Sequence, residues 1–453
     1  MAPVRVTVTV IFSLSLRLGL VRLATSLLVA LLAYVLNRVL IVEYQVPAAT
    51  VTFVFACQHL VTPLGLVAGY LSDRQASKGW RRTPFIWLGL GLCLLIFPLF
   101  PWWGERLAAA PADPVLFYFG VGLFLVFGAG TTISATAVNA LLVDLIPEGQ
   151  RGAALTLVWF LTLSGFIIGL SLFNQIFVWF KIQHLGWLFF LFALLAALVA
   201  YGSLRQVEGA AKPLRGSVSQ GPALKQGWRQ LSRASQGWLF FCFLAAAVFF
   251  LALQNFLLAP YGGAVLLLPV AATAKFGLYI SYGTLAGMAL ALVLARSSRS
   301  GAPKPLLAAA LGLGALAYNF FGLSGLTSLK GLGIVGLWLF GLAKGLFNTG
   351  ISHLTMRLAH PAFGGVFMGC WNLVSGLALA AGEMAGGFFL VEAANYLGAV
   401  PLAYSVIFWL AAAGLLASLI LLYFIDIRRY WQQVAPDQQL QQFQEEPKCN
   451  GRR

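Results

Sequence analysis

The 453-residue chain is 60% hydrophobic and only 9% charged. A water-soluble domain carries about a quarter of its residues charged, so this composition excludes a surface solvated by water alone. Its 29 Lys and Arg against 13 Asp and Glu give a formal charge of +16. The basic residues gather at the ends of apolar runs, which assigns them to the membrane surface and gives no support to nucleic-acid binding.

Apolar runs recur from about residue 17 to residue 425. Each approaches the ~20 residues that cross a bilayer, and inside hydrocarbon such runs satisfy their backbone as helices. In chain order they are 17–42, 49–71, 84–103, 115–141, 153–178 and 185–204, then 238–259, 270–295, 305–323, 331–356, 362–390 and 398–425. The first is too long for a signal peptide and reads as a membrane helix. Asn37, Arg38 and Glu43 form a polar cluster at its outer end, and His59 lies in the second run.

Between the second and third runs stands "GYLSDRQASKGWRRTP". Its Gly69, Asp73, Arg74, Gly79, Arg81 and Arg82 resemble the signature loop of the major facilitator superfamily, with the gap between Arg74 and Gly79 stretched. Gly69 is expected to let helices approach closely, and Asp73 to latch an adjacent basic loop. "NALLVDLIPEGQRGAA" is similar to the superfamily's second cytoplasmic loop, and "MRLAHPAFGGVFMG" echoes it in the second half through Arg357, Pro361 and Gly364.

Residues 205–237 are rich in Gly, Ser, Gln, Lys and Arg and read as a cytoplasmic linker. This divides the chain into a six-helix half (1–204), the linker, a second six-helix half (238–425) and a polar cytoplasmic tail (426–453). The linker's "LKQGWRQLSRASQGW" suits a short interfacial helix anchored by Trp228 and Trp238. Basic residues are concentrated on one side of the predicted spans, which places both termini in the cytoplasm.

The seventh run ends in "LQNFLLAPYGGAVLLLP". Pro260 stops or kinks the helix, and Gly262 and Gly263 permit a tight turn or close backbone approach. Tyr261 suits the lipid–water interface, so the segment is expected to form a hairpin corner on the non-cytoplasmic side. Polar residues inside the runs are few: Gln254 and Asn255, then Lys344, Asn348 and His353 in the tenth run, and Asn372 and Glu383 in the eleventh. Such groups are expensive in lipid and face a cavity or a partner. Glu383 could neutralise Lys344 across a helix interface, as a stabilising pair or as part of a solute pathway. No nucleotide loop, Ser–His–acid pattern or HExxH is present, so no enzyme is expected.

"QNFLLAPYGG" resembles the hallmark of the PucC/LhaA-like bacteriochlorophyll-delivery branch of the major facilitator superfamily, and Leu36 to Glu43 with Pro47 and "GWRRTPFIWLG" resemble its first helix and signature loop. The branch commonly has an acidic residue before Pro-Tyr-Gly-Gly; this chain has Ala259. The resemblance implies an all-α membrane protein of twelve transmembrane helices in a thylakoid or photosynthetic inner membrane. It implies an assembly factor that binds or delivers chlorophyll or bacteriochlorophyll, with carotenoid as a further pigment. Nascent light-harvesting or photosystem subunits and chlorophyll synthase are the partners it implies. The alternative is a secondary active transporter of a small solute. Chlorophyll magnesium takes hard N/O donors, and His59, Asn255 and His353 are the preferred axial candidates, with no protein-bound metal expected directly. Asn37, Arg38 and Glu43 could bind a partner's terminus or ring substituents, or be a helix-end cluster.

Overall fold

The computed structural model describes residues 8–74, 82–146, 148–177, 184–205, 235–297, 303–358 and 364–434. Most of the linker and the tail beyond Val434 lie outside the described residues.

The first helix, α1 (Val8–Leu31), continues through two π-helical turns, Leu32–Leu36 and Val39–Glu43. The second expected run is two helices, α2 (Ala48–Leu60) and α3 (Leu64–Arg74). Pro63 explains the break: it has no N–H for the His59 carbonyl four residues back. The Thr62 hydroxyl donates to that carbonyl instead, at 2.6 Å. The third run is likewise α4 (Thr83–Ile96) and α5 (Leu99–Ala109), bent by 40°. Pro98 has no N–H for the Leu94 carbonyl, and Pro101 has none for the Phe97 carbonyl, so the helix breaks between α4 and α5. Then come α6 (Pro114–Leu145), α7 (Glu148–Phe177) and α8 (Leu185–Leu204). Asp113 caps α6 by accepting from the Val115 N–H at 2.8 Å.

After the linker, α9 (Ser235–Ala252) gives way to turns and then to a short helix, α10 (Leu258–Ala264). The chain continues with α11 (Val270–Ser297), α12 (Pro303–Thr327), α13 (Lys330–Leu358), α14 (Gly364–Leu397), α15 (Val400–Phe424) and α16 (Ile427–Val434). Among the described residues nine helices are long and apolar enough to span a membrane, or ten when the bent pair α4–α5 is one span. The expected runs 49–71 and 270–295 coincide with α2–α3 and α11, which lie outside that count.

Buried apolar side chains sort into two clusters. One is drawn mainly from α1 to α8, and the other mainly from α9 to α16. They meet where α2 packs along α14 and α7 along α11. Exposed leucines and aromatics elsewhere, such as Leu198 and Trp187 on α8, face outward as lipid-solvated surface requires. Cys57, Cys93, Cys242 and Cys370 are all free.

Candidate functional site

Two interrupted helices and one continuous helix build the polar centre of the molecule. His59 ends α2 at its Pro63 break, and Gln254 and Asn255 lie in the turns that follow α9. Glu383 sits mid-way along α14 and is 3% exposed. Glycines on either side of it explain how α14 gets so close to α9. A Cβ on Gly382 would stand 2.4 Å from the Phe249 carbonyl oxygen, and one on Gly386 2.3 Å from that of Leu253. Only glycine permits that backbone contact, and the contact brings Glu383 to the α9 break.

Asn255 Nδ2 donates to Glu383 Oε1 at 2.9 Å, and Gln254 Nε2 donates to Asn255 Oδ1 at 2.9 Å. Glu383 Oε2 has a different neighbour: His59 Nε2, 3.3 Å away. That contact is an ion pair when the imidazole carries a proton, and it crosses from one hydrophobic cluster to the other. Lys344 on α13 interacts electrostatically with Glu383 but forms no direct ion pair with it among the described residues. Among the described residues His59, rather than Lys344, is the basic side chain nearest the Glu383 carboxylate. Asn348 stands one turn from Lys344, half-buried. Asn372 does not join a buried cluster as expected. Its side chain is exposed, and eleven residues put it about 16 Å along the α14 axis from Glu383. His353 is half-buried, nine residues and about 13 Å along α13 from Lys344.

The corner around Pro260 forms a second junction, and it corrects the expectation of an exposed hairpin. Pro260 does not end a helix. It occupies the first turn of α10, where a missing N–H is tolerated. Tyr261 is 1% exposed, and its hydroxyl donates to the Phe321 carbonyl at 2.9 Å. It is a core residue, not an interfacial anchor. Pro260 also leaves the Phe256 carbonyl without the N–H that a regular helix would supply. Asn37 Nδ2 fills that vacancy at 2.8 Å. Next to it, Arg38 pairs with Glu43 and donates from Nη2 to the Leu268 carbonyl at 3.0 Å. A Cβ on Gly263 would meet Arg38 Nη2 at 2.9 Å, so glycine makes room for the guanidinium. Gly262 faces Phe276 and Thr273 just as tightly. Asn37 and Arg38 are buried, and Asn37 Nδ2 and Arg38 Nη2 both donate to this corner. They are not presented to a partner's terminus; Glu43 alone of the three keeps substantial exposure.

Of the signature loop, Asp73 and Arg74 side chains and residues Gly79 and Arg81 lie outside what is described. Arg82 is buried and donates to the Ser72 hydroxyl. Gly69 is not a tight contact, since a Cβ there would stand 3.7 Å from Thr136 Cγ2. Sequence reasoning missed the pairing of Asn37 with the corner. The signal was a proline four residues after an acceptor buried in lipid, facing an asparagine in another run. The same rule, applied to Pro63, marks His59.

Known proteins agree with this architecture. Solved structures share the fold at low identity. A bacterial homologue of the human lysosomal transporter Spinster, inward-facing, matches with TM-score 0.62 and 15% identity, covering 94% of this chain and 96% of that one. The xylose transporter XylE from E. coli, partially occluded and inward open, matches with TM-score 0.66 and 13% identity over 92% and 98%. This is the transporter fold of the major facilitator superfamily. "Protein PucC" of Rhodovulum sulfidophilum is 28% identical over 388 residues, 83% of this chain and 84% of that protein. "Bacteriochlorophyll synthase 44.5 kDa chain" of Rhodobacter capsulatus is 26% identical over 404 residues, 82% and 85%. The family model described as "PUCC protein" matches residues 35–430, from the π-helical end of α1 through α16. The chain belongs to the PUCC protein family.

Proposed function

We propose that the protein is a non-catalytic assembly factor that binds or hands over chlorophyll or bacteriochlorophyll as light-harvesting or photosystem polypeptides enter the membrane. The observation that carries this reading is the family match across residues 35–430, with one relative whose name ties it to bacteriochlorophyll. We also read the chain as two six-helix halves, 1–204 and 238–425, joined by a cytoplasmic linker. The two hydrophobic clusters support that division. The membrane is a thylakoid or photosynthetic inner membrane, with both termini cytoplasmic; carotenoid is a further candidate pigment and chlorophyll synthase a candidate partner.

The residues present suit a magnesium macrocycle, which needs one axial N or O donor and aromatic or aliphatic walls. When bound, the pigment supplies the light-absorbing ring and the metal; the protein supplies the donor and excludes water. Of the three donor candidates, Asn255 has both polar atoms engaged within the Glu383 cluster. His59 has Nε2 beside Glu383 and keeps Nδ1, with its side chain 28% exposed. His353 is half-buried and remains a candidate from α13.

Mild-detergent purification of the full chain from its phototrophic host tests the reading. Chlorophyll absorption and antenna or reaction-centre subunits should co-purify. A stable, pigment-free, partner-free protein from pigmented cells overturns it. The transporter alternative draws on the fold and on buried charge around Glu383, a pattern that marks solute or ion pathways. It requires ligand-dependent alternating access that Lys344→Ala or Glu383→Ala abolishes; unchanged transport in both removes these residues from it.

A further inference from the structure

The chain turns back under the bundle where its last span ends. Val400–Phe424 is long and apolar enough to cross a membrane, so Asp426 and α16 begin at the membrane boundary. Asp426 caps α16: its Oδ1 accepts from the Arg428 and Arg429 N–H groups at 2.9 and 3.3 Å. Gln236 Oε1 accepts from the Asp426 N–H at 2.8 Å. Further along, Tyr430 is buried with its ring edge-on to Phe367. Trp431 Nε1 donates to the Arg357 carbonyl at 3.1 Å, and Gln433 Nε2 to the Ser235 hydroxyl at 3.0 Å. These contacts fasten α16 to the ends of α9, α13 and α14. Two helical turns would not hold together alone, so the docking is what fixes the side chains on the other face.

That other face is basic. Arg428 and Arg429 are both exposed. Lys304, at the start of the span Pro303–Thr327, brings Nζ to 3.4 Å from the Tyr423 carbonyl. Asp426 is the carboxylate among them. It pairs with Arg429 Nε at 3.5 Å, both side chains being open to solvent, and acts on Lys304 through its charge. Three cations therefore share one carboxylate, half of which is already spent on the cap. Among the described residues no carboxylate pairs with Arg428. At the last turn of the span, Tyr423 and Phe424 are 80% and 60% exposed, with ring centroids 5.5 Å apart. Exposed aromatic rings at the end of a span sit at headgroup level.

We propose that this patch is a binding site for an anionic phospholipid headgroup. Lys304, Arg428 and the Arg429 η-nitrogens take the phosphate oxygens as charge-assisted hydrogen bonds, and the Tyr423 and Phe424 rings lie against the upper acyl chains. An acidic protein segment would answer the same charge, but the exposed rings at the mouth of the span favour lipid. The site does not depend on which pigment the protein handles, since no residue of the Glu383 cluster or the Pro260 corner enters it.

The test titrates the delipidated full chain in detergent with phosphatidylglycerol or with phosphatidylcholine of the same acyl chains, and reads the bound lipid by native mass spectrometry. The wild type should retain phosphatidylglycerol in preference. A basic side chain near an anionic surface contributes about fivefold to affinity. Arg428→Gln should therefore weaken phosphatidylglycerol binding about fivefold, and the double change with Arg429→Gln about twenty-fivefold, with smaller effects at high salt. Asp426→Asn should do the opposite. Asparagine caps a helix as well as aspartate does, so α16 stays docked while the opposing charge is removed, and binding should tighten about fivefold. Arg205→Gln, which removes an exposed cation from the end of α8, should change nothing. Equal retention of the two lipids by the wild type, or an Asp426→Asn variant that binds no more tightly, overturns the proposal. Weakening by Arg205→Gln to the same extent shows that binding follows net charge and rejects the site. Displacement of the lipid by equimolar inorganic phosphate assigns the patch to the free ion, and tight binding of polyglutamate without phosphatidylglycerol assigns it to an acidic protein; either result rejects the lipid assignment.

Discussion

Asn37→Ala strips one donor from the crossing of α1 and α10 and strands a carbonyl. The Phe256 oxygen has lost its helical N–H to Pro260, and Asn37 Nδ2 at 2.8 Å is its replacement. Phe256 and Asn37 are both buried, so water does not take over. A buried acceptor left unpaired costs about 1–3 kcal/mol. Hydrogen bonds measured inside membranes average about 0.6 kcal/mol and reach about 1.7, so about 1 kcal/mol is the expected loss. In a chain of this length that lowers the melting temperature by roughly 1–2 °C. The decisive comparison is a double-mutant cycle with Pro260→Ala. Alanine at 260 restores an N–H for the Phe256 carbonyl, so Asn37→Ala should cost less in that background. The packing lost with the asparagine is common to both backgrounds and cancels. Replicate scanning fluorimetry in one detergent reads the difference. Equal costs in the two backgrounds refute the claim that Asn37 substitutes for the missing proline donor.

Three further outcomes are expected. Glu383→Gln keeps an acceptor for Asn255 and should melt near the wild type. Glu383→Leu leaves Asn255 and His59 without their partner and should lose about 2 kcal/mol; equal melting of the two variants rejects the cluster as a structural unit. Gly386→Val drives a Cβ into the Leu253 carbonyl, 2.3 Å away, and should separate α14 from α9 at a cost of about 1–3 kcal/mol, read as a lower melting temperature and yield; wild-type behaviour contradicts the close approach. Burial pushes the Tyr430 phenol in α16 up to about 12 from its ordinary 10. Ionisation therefore comes earlier in the undocked helix than in the docked one. The docking stability is complete below pH 10 and drains away as pH rises from 10 to about 12. A spin label at position 432 should gain mobility over that window, and Tyr430→Phe should lack the transition.

Much of this was readable from composition and punctuation. Lipid as solvent follows from the scarcity of charge, and the apolar runs fall on helices or on broken pairs of helices, the seventh run being interrupted by turns at residues 253–257. The interruptions were harder. Pro63 and Pro98 lie within or beside expected spans and broke them, because a proline removes a donor wherever it stands. The corner was legible as a helix break but not as a buried one. Whether "APYGG" faces lipid, water or protein depends on α1 and α12, which the local segment does not encode. The Glu383 cluster was half-visible for the same reason. Its polar members can be found by eye, but the choice of His59 over Lys344 as the nearest partner depends on α14 packing along α2, where Gly376 and Gly387 make room for Thr62 and Thr52. Asn372 has the composition of a buried polar residue and the placement of an exposed one.

We propose that this member of the PUCC family serves pigment–protein assembly rather than solute movement. Deleting its coding sequence in the native phototroph and recording membrane absorption spectra is the most direct test. An assembly factor's loss should remove antenna or photosystem bands while free pigment is still made, and the wild-type chain should restore them. Unchanged spectra together with a defect in uptake or export of a small solute would contradict it.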